Sequence, residues 1–99
     1  MVRKLLRAKS HKVRLGAAIH LARLRDPKTL KPLIKCLKRD SHYLVRAFCA
    51  TALGNLGNKR ALPALKKRLK DKNSFVRRKA SQAIDRIHAV VAVKGKRGY

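Results

Sequence analysis

The sequence predicts an all-α protein built as a solenoid of stacked helical hairpins. A segment of 25 residues, VRAFCATALGNLGNKRALPALKKRL, recurs upstream as VRLGAAIHLARLRDPKTLKPLIKCL, and its first half recurs downstream as VRRKASQAIDRI. The copies begin at Val13, Val45 and Val76, which are 32 and 31 residues apart. Periods of this length are typical of helical hairpins that cover one another's apolar faces. Aromatic residues make up only 4% of the chain, so we expect an aliphatic, alanine-rich core.

The first two helices are predicted from short amphipathic segments. Residues 1–9 are expected to form a short helix, and Ser10 is a plausible N-cap for a second one over about 12–25. One apolar stripe follows helical spacing along this second helix: Val13, Ala17, Leu21 and Leu24.

A third helix, over about 27–39, completes the first hairpin. Asp26 is the expected cap, and Pro27 occupies the first helical position, where its missing N–H costs nothing. The pattern is strongly amphipathic, and the residues expected in the core are Leu30, Leu33, Ile34 and Leu37.

The second hairpin is predicted from helices over about 43–56 and 59–71. Gly57 follows the first of these, as glycine commonly does at a helix C-terminus. A last helix, capped by Asn73 or Ser74, is expected to end near residue 90.

The recurring pattern V-R-x-x-(A/C)-(A/S)-x-x-(L/I)-x-x-(L/I) resembles the short HEAT-like repeats of the phycobilisome-lyase type. This resemblance implies a right-handed α-solenoid of two full hairpins flanked by a half-repeat at each end, with about six helices. The repeat domain would span 1–90, divided at about 1–11 (partial), 12–42, 43–74 and 75–90 (partial). Residues 91–99 are expected to form an extended basic tail.

The resemblance also implies a ladder of ion pairs between an inter-helix aspartate and the V-R arginine of a neighbouring repeat. Asp26 would pair with Arg46 in this way. The second hairpin has Asn58 where the acid is expected, so Arg77 would lack its partner.

Charge is the most unusual property of the chain. It contains 28 Lys and Arg residues against 4 acids, all of them Asp, for a formal net charge of +24. Such an excess repels itself in a compact fold, so a polyanionic partner is expected. The alternative to a polyanionic partner is that these side chains only keep the outward helix positions soluble. Solubility alone, however, would favour a mixture of positive and negative side chains.

The repeat places many of these cations in register on the second helix of each hairpin. Two basic rows are predicted, Lys4–Lys35–Lys67 and Arg7–Lys38–Lys70, together with a shorter pair, Lys28–Arg60. The candidate phosphate-binding residues of this region, called the basic strip below, are Lys4, Arg7, Lys28, Lys31, Lys35, Lys38, Arg60, Lys66, Lys67, Arg68 and Lys70.

A second group of candidates lies outside the strip. Arginines in the first turns of first helices would either pair with aspartate or bind phosphate at a helix N-terminus, and the sequence favours neither. These are Arg14, Arg46, Arg77 and Arg78, and the predicted tail adds Lys94, Lys96 and Arg97.

The two cysteines, Cys36 and Cys49, are expected to face apolar neighbours. A disulfide between them is possible, but we interpret them as buried free thiols of a reducing compartment. The sequence contains neither a signal-peptide pattern nor an apolar run of membrane-spanning length. We therefore expect a cytoplasmic protein without a membrane partner.

Catalysis is not indicated by the sequence. The four histidines lack metal-ligand spacing, and acids are too few for a carboxylate pair, so no metal, cofactor or small-molecule substrate is expected. Exposed aromatic rings for base stacking are also not evident. Binding should therefore be to phosphates, and about ten engaged cations would give a log–log salt slope of about −7 to −9.

Three hypotheses of function follow from these observations. The first is a structural rRNA-binding protein, ribosomal or ribosome-associated, with neighbouring ribosomal proteins as further partners. The second is a sequence-tolerant double-stranded DNA-binding protein, and the third is an adaptor for acidic proteins. Several cations lie outside the basic strip, and charge on several faces favours RNA wrapped around the protein. These cations are Arg3, Lys12, Arg23, Arg25, Lys79 and Arg86.

Overall fold

The computed structural model describes residues 1–96 of the chain, and side chains as far as residue 93. This part forms six α-helices: α1 (Val2–Arg7), α2 (His11–Leu24), α3 (Leu30–Arg39), α4 (Tyr43–Leu56), α5 (Leu62–Arg68) and α6 (Ser74–Lys96). Short 3₁₀ turns, Pro27–Thr29 and Lys59–Ala61, lead into α3 and α5. The predicted all-α architecture is confirmed.

The long helices begin at side chains that accept hydrogen bonds from free backbone amides. Ser10, His42 and Asn73 occupy equivalent positions before α2, α4 and α6, and each accepts from the N–H two residues later. Such caps satisfy amides that have no partner inside the helix. The helix boundaries therefore recur with the period of the sequence.

The helices form two layers. We call α2, α4 and α6 the first layer, in which α4 packs between its two neighbours, and α1, α3 and α5 the second layer. Each second-layer helix packs on a first-layer helix, α1 on α2, α3 on α4 and α5 on α6. The Cα atoms extend over 49 × 27 × 16 Å. This is the stacked-hairpin arrangement that the repeat predicts.

The core combines alanines of the first layer with leucines of the second. Ala18, Ala50 and Ala80 are fully buried, as are Leu33 and Leu37. Leu30 is also buried, whereas Ile34 is half-buried. Alanine allows the first-layer helices to approach closely, and leucine fills the space between the layers.

The apolar stripe predicted on α2 is wrong at both ends. Ala17 and Leu21 are buried, but Val13 is 44% exposed and Leu24 is 55% exposed. The equivalent residues Val45 and Val76 are fully buried. Val13 differs because only the six-residue α1 precedes it, instead of a full hairpin.

Residues 91–96 correct another prediction, because they continue α6 instead of starting an extended tail. A Cβ atom placed on Gly57, the left-handed residue that ends α4, would lie 3.3 Å from the Val90 side chain. This contact holds α6 against α4 near the predicted helix end, and no proline follows. Residues 97–99 lie outside the described part of the chain.

The cysteines also differ from expectation. Cys36 of α3 and Cys49 of α4 form a disulfide with Cα atoms 6.4 Å apart, so the prediction of free thiols is wrong. Both residues are at most 3% exposed. Burial had favoured free thiols, but the two cysteines also face each other between α3 and α4, at a distance that suits a disulfide.

Candidate nucleic-acid interface

The predicted basic strip lies on the second layer and its connecting turns. Its exposed members sit on α1, α3 and α5, in the two 3₁₀ turns, and just beyond α5. Because α1 packs against α3 and α3 against α5, the two predicted rows cross three adjacent helices. The exposed residues are Lys4, Arg7, Lys28, Lys31, Lys35, Lys38, Arg60, Lys66, Lys67 and Lys70.

A surface depression of about 400 Å³ joins cations from two repeats. Lys38 lies on one side, and Lys67 and Lys70 lie on the other. Lys72 also lines it, although sequence reasoning did not include this residue. The sequence did contain a signal for Lys72, because it lies two residues after Lys70 in a K-x-K pattern just beyond α5. The structure therefore brings part of one predicted row together across α3 and α5.

A neighbouring depression of about 420 Å³ follows α3 itself. It is lined by Lys31, Lys35 and Lys38, with Arg39 as a further cation that the prediction omitted. Lys38 is shared by both depressions. The cationic surface is thus continuous from α3 to α5.

Two arginines that were candidates for phosphate binding form ion pairs instead. Arg14 Nε lies 2.8 Å from Asp40 Oδ2, and Arg46 Nε lies 3.0 Å from Asp71 Oδ2. The Arg46 side chain is only 6% exposed. Arg68, predicted to belong to the strip, lies 3.0 Å from Asp71 through its Nη1. These arginines act within the fold.

The V-R arginines do form repeated ion pairs, but with aspartates other than those expected, and each pair lies within one repeat (12–42 or 43–74) and not between neighbouring repeats. Asp26 does not pair with Arg46; its carboxylate accepts the Lys28 N–H and caps the first 3₁₀ turn. Asn58 makes the same bond to the Arg60 N–H, so it replaces Asp26 as a cap and not as an ion-pair partner. The prediction was wrong because a cap and a charge partner look alike in sequence.

Asp40 and Asp71 end the second helices of successive repeats and perform the same two tasks. Each pairs with the V-R arginine about 25 residues earlier and accepts the backbone N–H two residues later. Their equivalent positions in the repeat were the signal that could have revealed the ladder. Arg77 donates to the backbone carbonyl of Asp71, and within residues 1–93 it has no carboxylate partner.

The surroundings of Asp71 favour its charged form. Burial by itself raises the pKa of this carboxyl, but hydrogen bonds from Arg46, the Asn73 backbone and Arg68 outweigh it and hold the pKa below its ordinary value. The Asp71 side chain is 1% exposed, and that of Asp40 is 6% exposed. Half of the acids in the chain are therefore held in buried ion pairs with arginines, which leaves few acids on the surface.

The fold agrees with comparisons to known proteins. The family profile described as HEAT repeats matches residues 1–89. The chain belongs to the HEAT-repeat family. Comparison with curated protein sequences gives no match.

The fold is also similar to a solved structure, that of human deoxyhypusine hydroxylase in complex with glycerol. The two share 26% sequence identity with a TM-score of 0.81. The similarity covers 89% of this chain but 31% of the hydroxylase, so the chain spans about a third of that protein. Among the residues that the structure describes, no group of three or more His, Cys, Asp and Glu side chains is placed to hold a metal ion.

The first layer of the HEAT repeats carries further cations. Arg23 and Arg25 border a groove of about 670 Å³ between α2 and α4, whose floor includes Phe48. Lys79 and Arg86 border a second groove between α4 and α6. Both broad faces of the protein are therefore positively charged.

The remaining predicted site residues belong to α6. Arg77 and Arg78 are exposed in its first turn. Lys94 and Lys96 lie in its last turns, beyond the described side chains, and Arg97 lies outside the described residues. None of the described helices combines the length and apolar character needed to cross a bilayer.

Proposed function

We propose that this HEAT-repeat protein is a non-catalytic RNA-binding protein that contacts phosphates. Its place would be structural, within a ribonucleoprotein particle such as the ribosome, with rRNA and neighbouring ribosomal proteins as partners. The observation that carries the proposal is a basic strip of exposed lysines and arginines across α1, α3 and α5. Asp40 and Asp71 line its central depression, but both are held in buried ion pairs with arginines. Rows of exposed cations at repeat spacing suit a phosphate backbone.

RNA is favoured over DNA by the cations of the first layer. A protein that cradles a duplex needs charge on one face only, whereas here Arg23, Arg25 and Arg86 are exposed on the other face. RNA segments inside a particle surround their small proteins and neutralise several faces at once. Double-stranded DNA bound along the strip is the second candidate, supported by the regular rows alone.

A cytoplasmic location is part of the proposal and has to accommodate the disulfide. Disulfides are rare in most reducing cytoplasms but common in intracellular proteins of hyperthermophiles. The Cys36–Cys49 bond therefore favours either such a cytoplasm or an oxidising compartment. Because both cysteines are buried, the bond is also shielded from thiol reductants.

The decisive experiment reverses charge on one layer at a time. The strip variant carries K35E, K38E, K67E and K70E, and a matched first-layer variant, used as the control for net charge, carries K12E, R23E, R25E and R86E. Loss of first-layer contacts should weaken RNA binding as well, but less than loss of the strip. Both sets consist of exposed residues and change the net charge equally. We expect the strip variant to bind structured RNA at least about tenfold more weakly than the control does, with a salt slope shallower by about 3 to 4.

Each outcome has a defined meaning, provided that circular dichroism shows both variants folded. Equal losses in the two variants would mean that net charge alone drives binding and would overturn the strip. A wild-type protein that binds double-stranded DNA more tightly than RNA at the same salt concentration would replace the RNA proposal by the DNA one. Sedimentation of a lysate treated with DNase or RNase provides the cellular counterpart, since we expect only RNase to release the protein from particles.

A further inference from the structure

Three rings form an exposed stack where the N-termini of α2 and α4 meet. The imidazoles of His11 and His42 are nearly parallel, at 3°, with centroids 4.0 Å apart. The Tyr43 ring continues the stack at 5.2 Å and 17° from His42. His11 and Tyr43 form the two ends, and both are exposed, Tyr43 to 40%. Sequence reasoning had considered only Phe and Tyr rings and therefore missed this feature.

The central ring is held in place by hydrogen bonds. His42 Nδ1 accepts the Leu44 N–H at 3.2 Å, and the His42 N–H donates to Asp40 Oδ1 at 2.9 Å. Asp40 is itself fixed by Arg14. The stack therefore has a preorganised centre, which lowers the entropic cost of adding another ring.

The fold does not require rings at these positions. Ser10 and Asn73 make the same cap as His42 at equivalent positions, and neither carries a ring. The first residue of α6, equivalent to His11 and Tyr43, is Ser74. Because His11 and Tyr43 are exposed and the caps do not need rings, packing of the core does not explain the stack.

The stack also adjoins the basic strip. Asp40, which anchors His42, lines the depression that contains Lys38, Lys67 and Lys70. A phosphate held in that depression would leave its neighbouring bases near the rings. Base faces stack on Tyr and His in proteins that bind unpaired RNA.

We propose that an unpaired nucleobase of the bound RNA stacks on an end of the His11–His42–Tyr43 platform. This inference rests on the proposed RNA-binding function and adds a preference for single-stranded segments such as loops and bulges. Every base has a flat face that can stack on these rings. The site therefore selects unpaired bases but does not distinguish one base from another.

The test compares H11A and Y43A with wild type on two probes. One probe is a single-stranded RNA of about 12 nucleotides containing 2-aminopurine, and the other is a duplex RNA of the same length. Each variant that removes a base-stacking ring should weaken binding of the single strand about 5- to 150-fold and leave duplex binding within about twofold. The quenching of 2-aminopurine by the wild-type protein should be lost in parallel.

The conservative variant Y43F keeps the ring and should retain both affinity and quenching. The salt slope should not change in any of these variants, because no phosphate contact is removed. His42 is left intact since it caps α4. Unchanged single-strand affinity in both H11A and Y43A would overturn the platform while leaving phosphate binding intact, whereas failure of the wild-type protein to bind either RNA would overturn the proposed function itself.

Discussion

The two layers of the solenoid are built from the same repeat but perform different tasks. In the first layer, long helices approach closely: a Cβ atom on Gly54 of α4 would lie 2.8 Å from the Ala83 Cα of α6. In the second layer, short helices bury leucine on one side and present lysine on the other. The difference shows that close packing within the first layer defines the architecture. The second layer can therefore carry cations that repel one another.

The layers are joined by contacts that differ in kind. Arg46 of α4 reaches Asp71 beyond α5, and the disulfide links α3 to α4. One contact depends on charge and the other is covalent. Three predictions rank these contacts against the packing within the first layer, from the largest expected effect to the smallest.

The largest effect is expected from Asp71→Asn. This change keeps the shape of the side chain but leaves the buried Arg46 guanidinium without a counter-charge, which costs about 3 to 5 kcal/mol of unfolding free energy. Asp40→Asn should cost less, because Arg14 is 13% exposed and partly solvated. Asp26→Asn serves as the neutral control, since Asn caps as well as Asp. Denaturant unfolding of the three variants measures the order, and an equal loss at Asp26 would contradict it.

The pH dependence of stability provides a second measurement on Asp71. Its pKa is lower in the folded protein than in the unfolded chain, so the unfolded state binds more protons around the ordinary carboxyl pKa. The stabilisation is therefore fully present above that value and is lost as the pH falls through the folded pKa. The difference in stability between wild type and Asp71→Asn should shrink below about pH 4.

An intermediate effect is expected from reduction of the disulfide. Cys36 and Cys49 are 13 residues apart, and opening a loop of this size lowers the unfolding free energy by about 3 kcal/mol. Unfolding with and without a phosphine reductant measures the loss, with Cys36→Ala/Cys49→Ala as the control that no longer responds to reductant. Alkylation of both cysteines in unreduced, denatured protein would show that the bond is absent.

The smallest effect, and the sharpest contrast, is expected from two glycines. Gly54→Ala would press a methyl group against the Ala83 backbone and should cost about 1 to 3 kcal/mol. Gly16→Ala on α2 meets no atom within 4 Å and should instead stabilise the protein by about 0.5 to 1 kcal/mol. Opposite signs in thermal unfolding would confirm the close approach of α4 and α6 at Gly54, whereas equal signs would refute it.

Much of the fold could be predicted from the sequence because local signals agree with the repeat. Gly57 and the caps at Ser10 and Asn73 mark helix ends that the structure confirms. Exposure at Val13 could not be predicted, since it depends on how much chain covers that position. The continuation of α6 past residue 90, where Val90 lies close to Gly57 of α4, was not predicted either.

The candidate site was predictable in part for the same reason. Period and helical spacing placed Lys38, Lys67 and Lys70 in register, and the structure brings them to one depression. The sequence pattern could not tell which arginines would be neutralised, because Asp40 and Asp71 reach Arg14 and Arg46 only once the helices have packed together.

By itself, the sequence determined the all-α repeat, the helix boundaries to within a few residues except at the end of α6, and a surface dominated by positive charge. These properties follow from short-range chemistry: apolar spacing, capping side chains and the count of ionisable groups. Only the tertiary structure decided the ion-pair ladder, the disulfide and the stacked rings of His11, His42 and Tyr43. Each of them joins residues distant in sequence, or aligns rings from different helices, and so depends on the packing of one hairpin against the next.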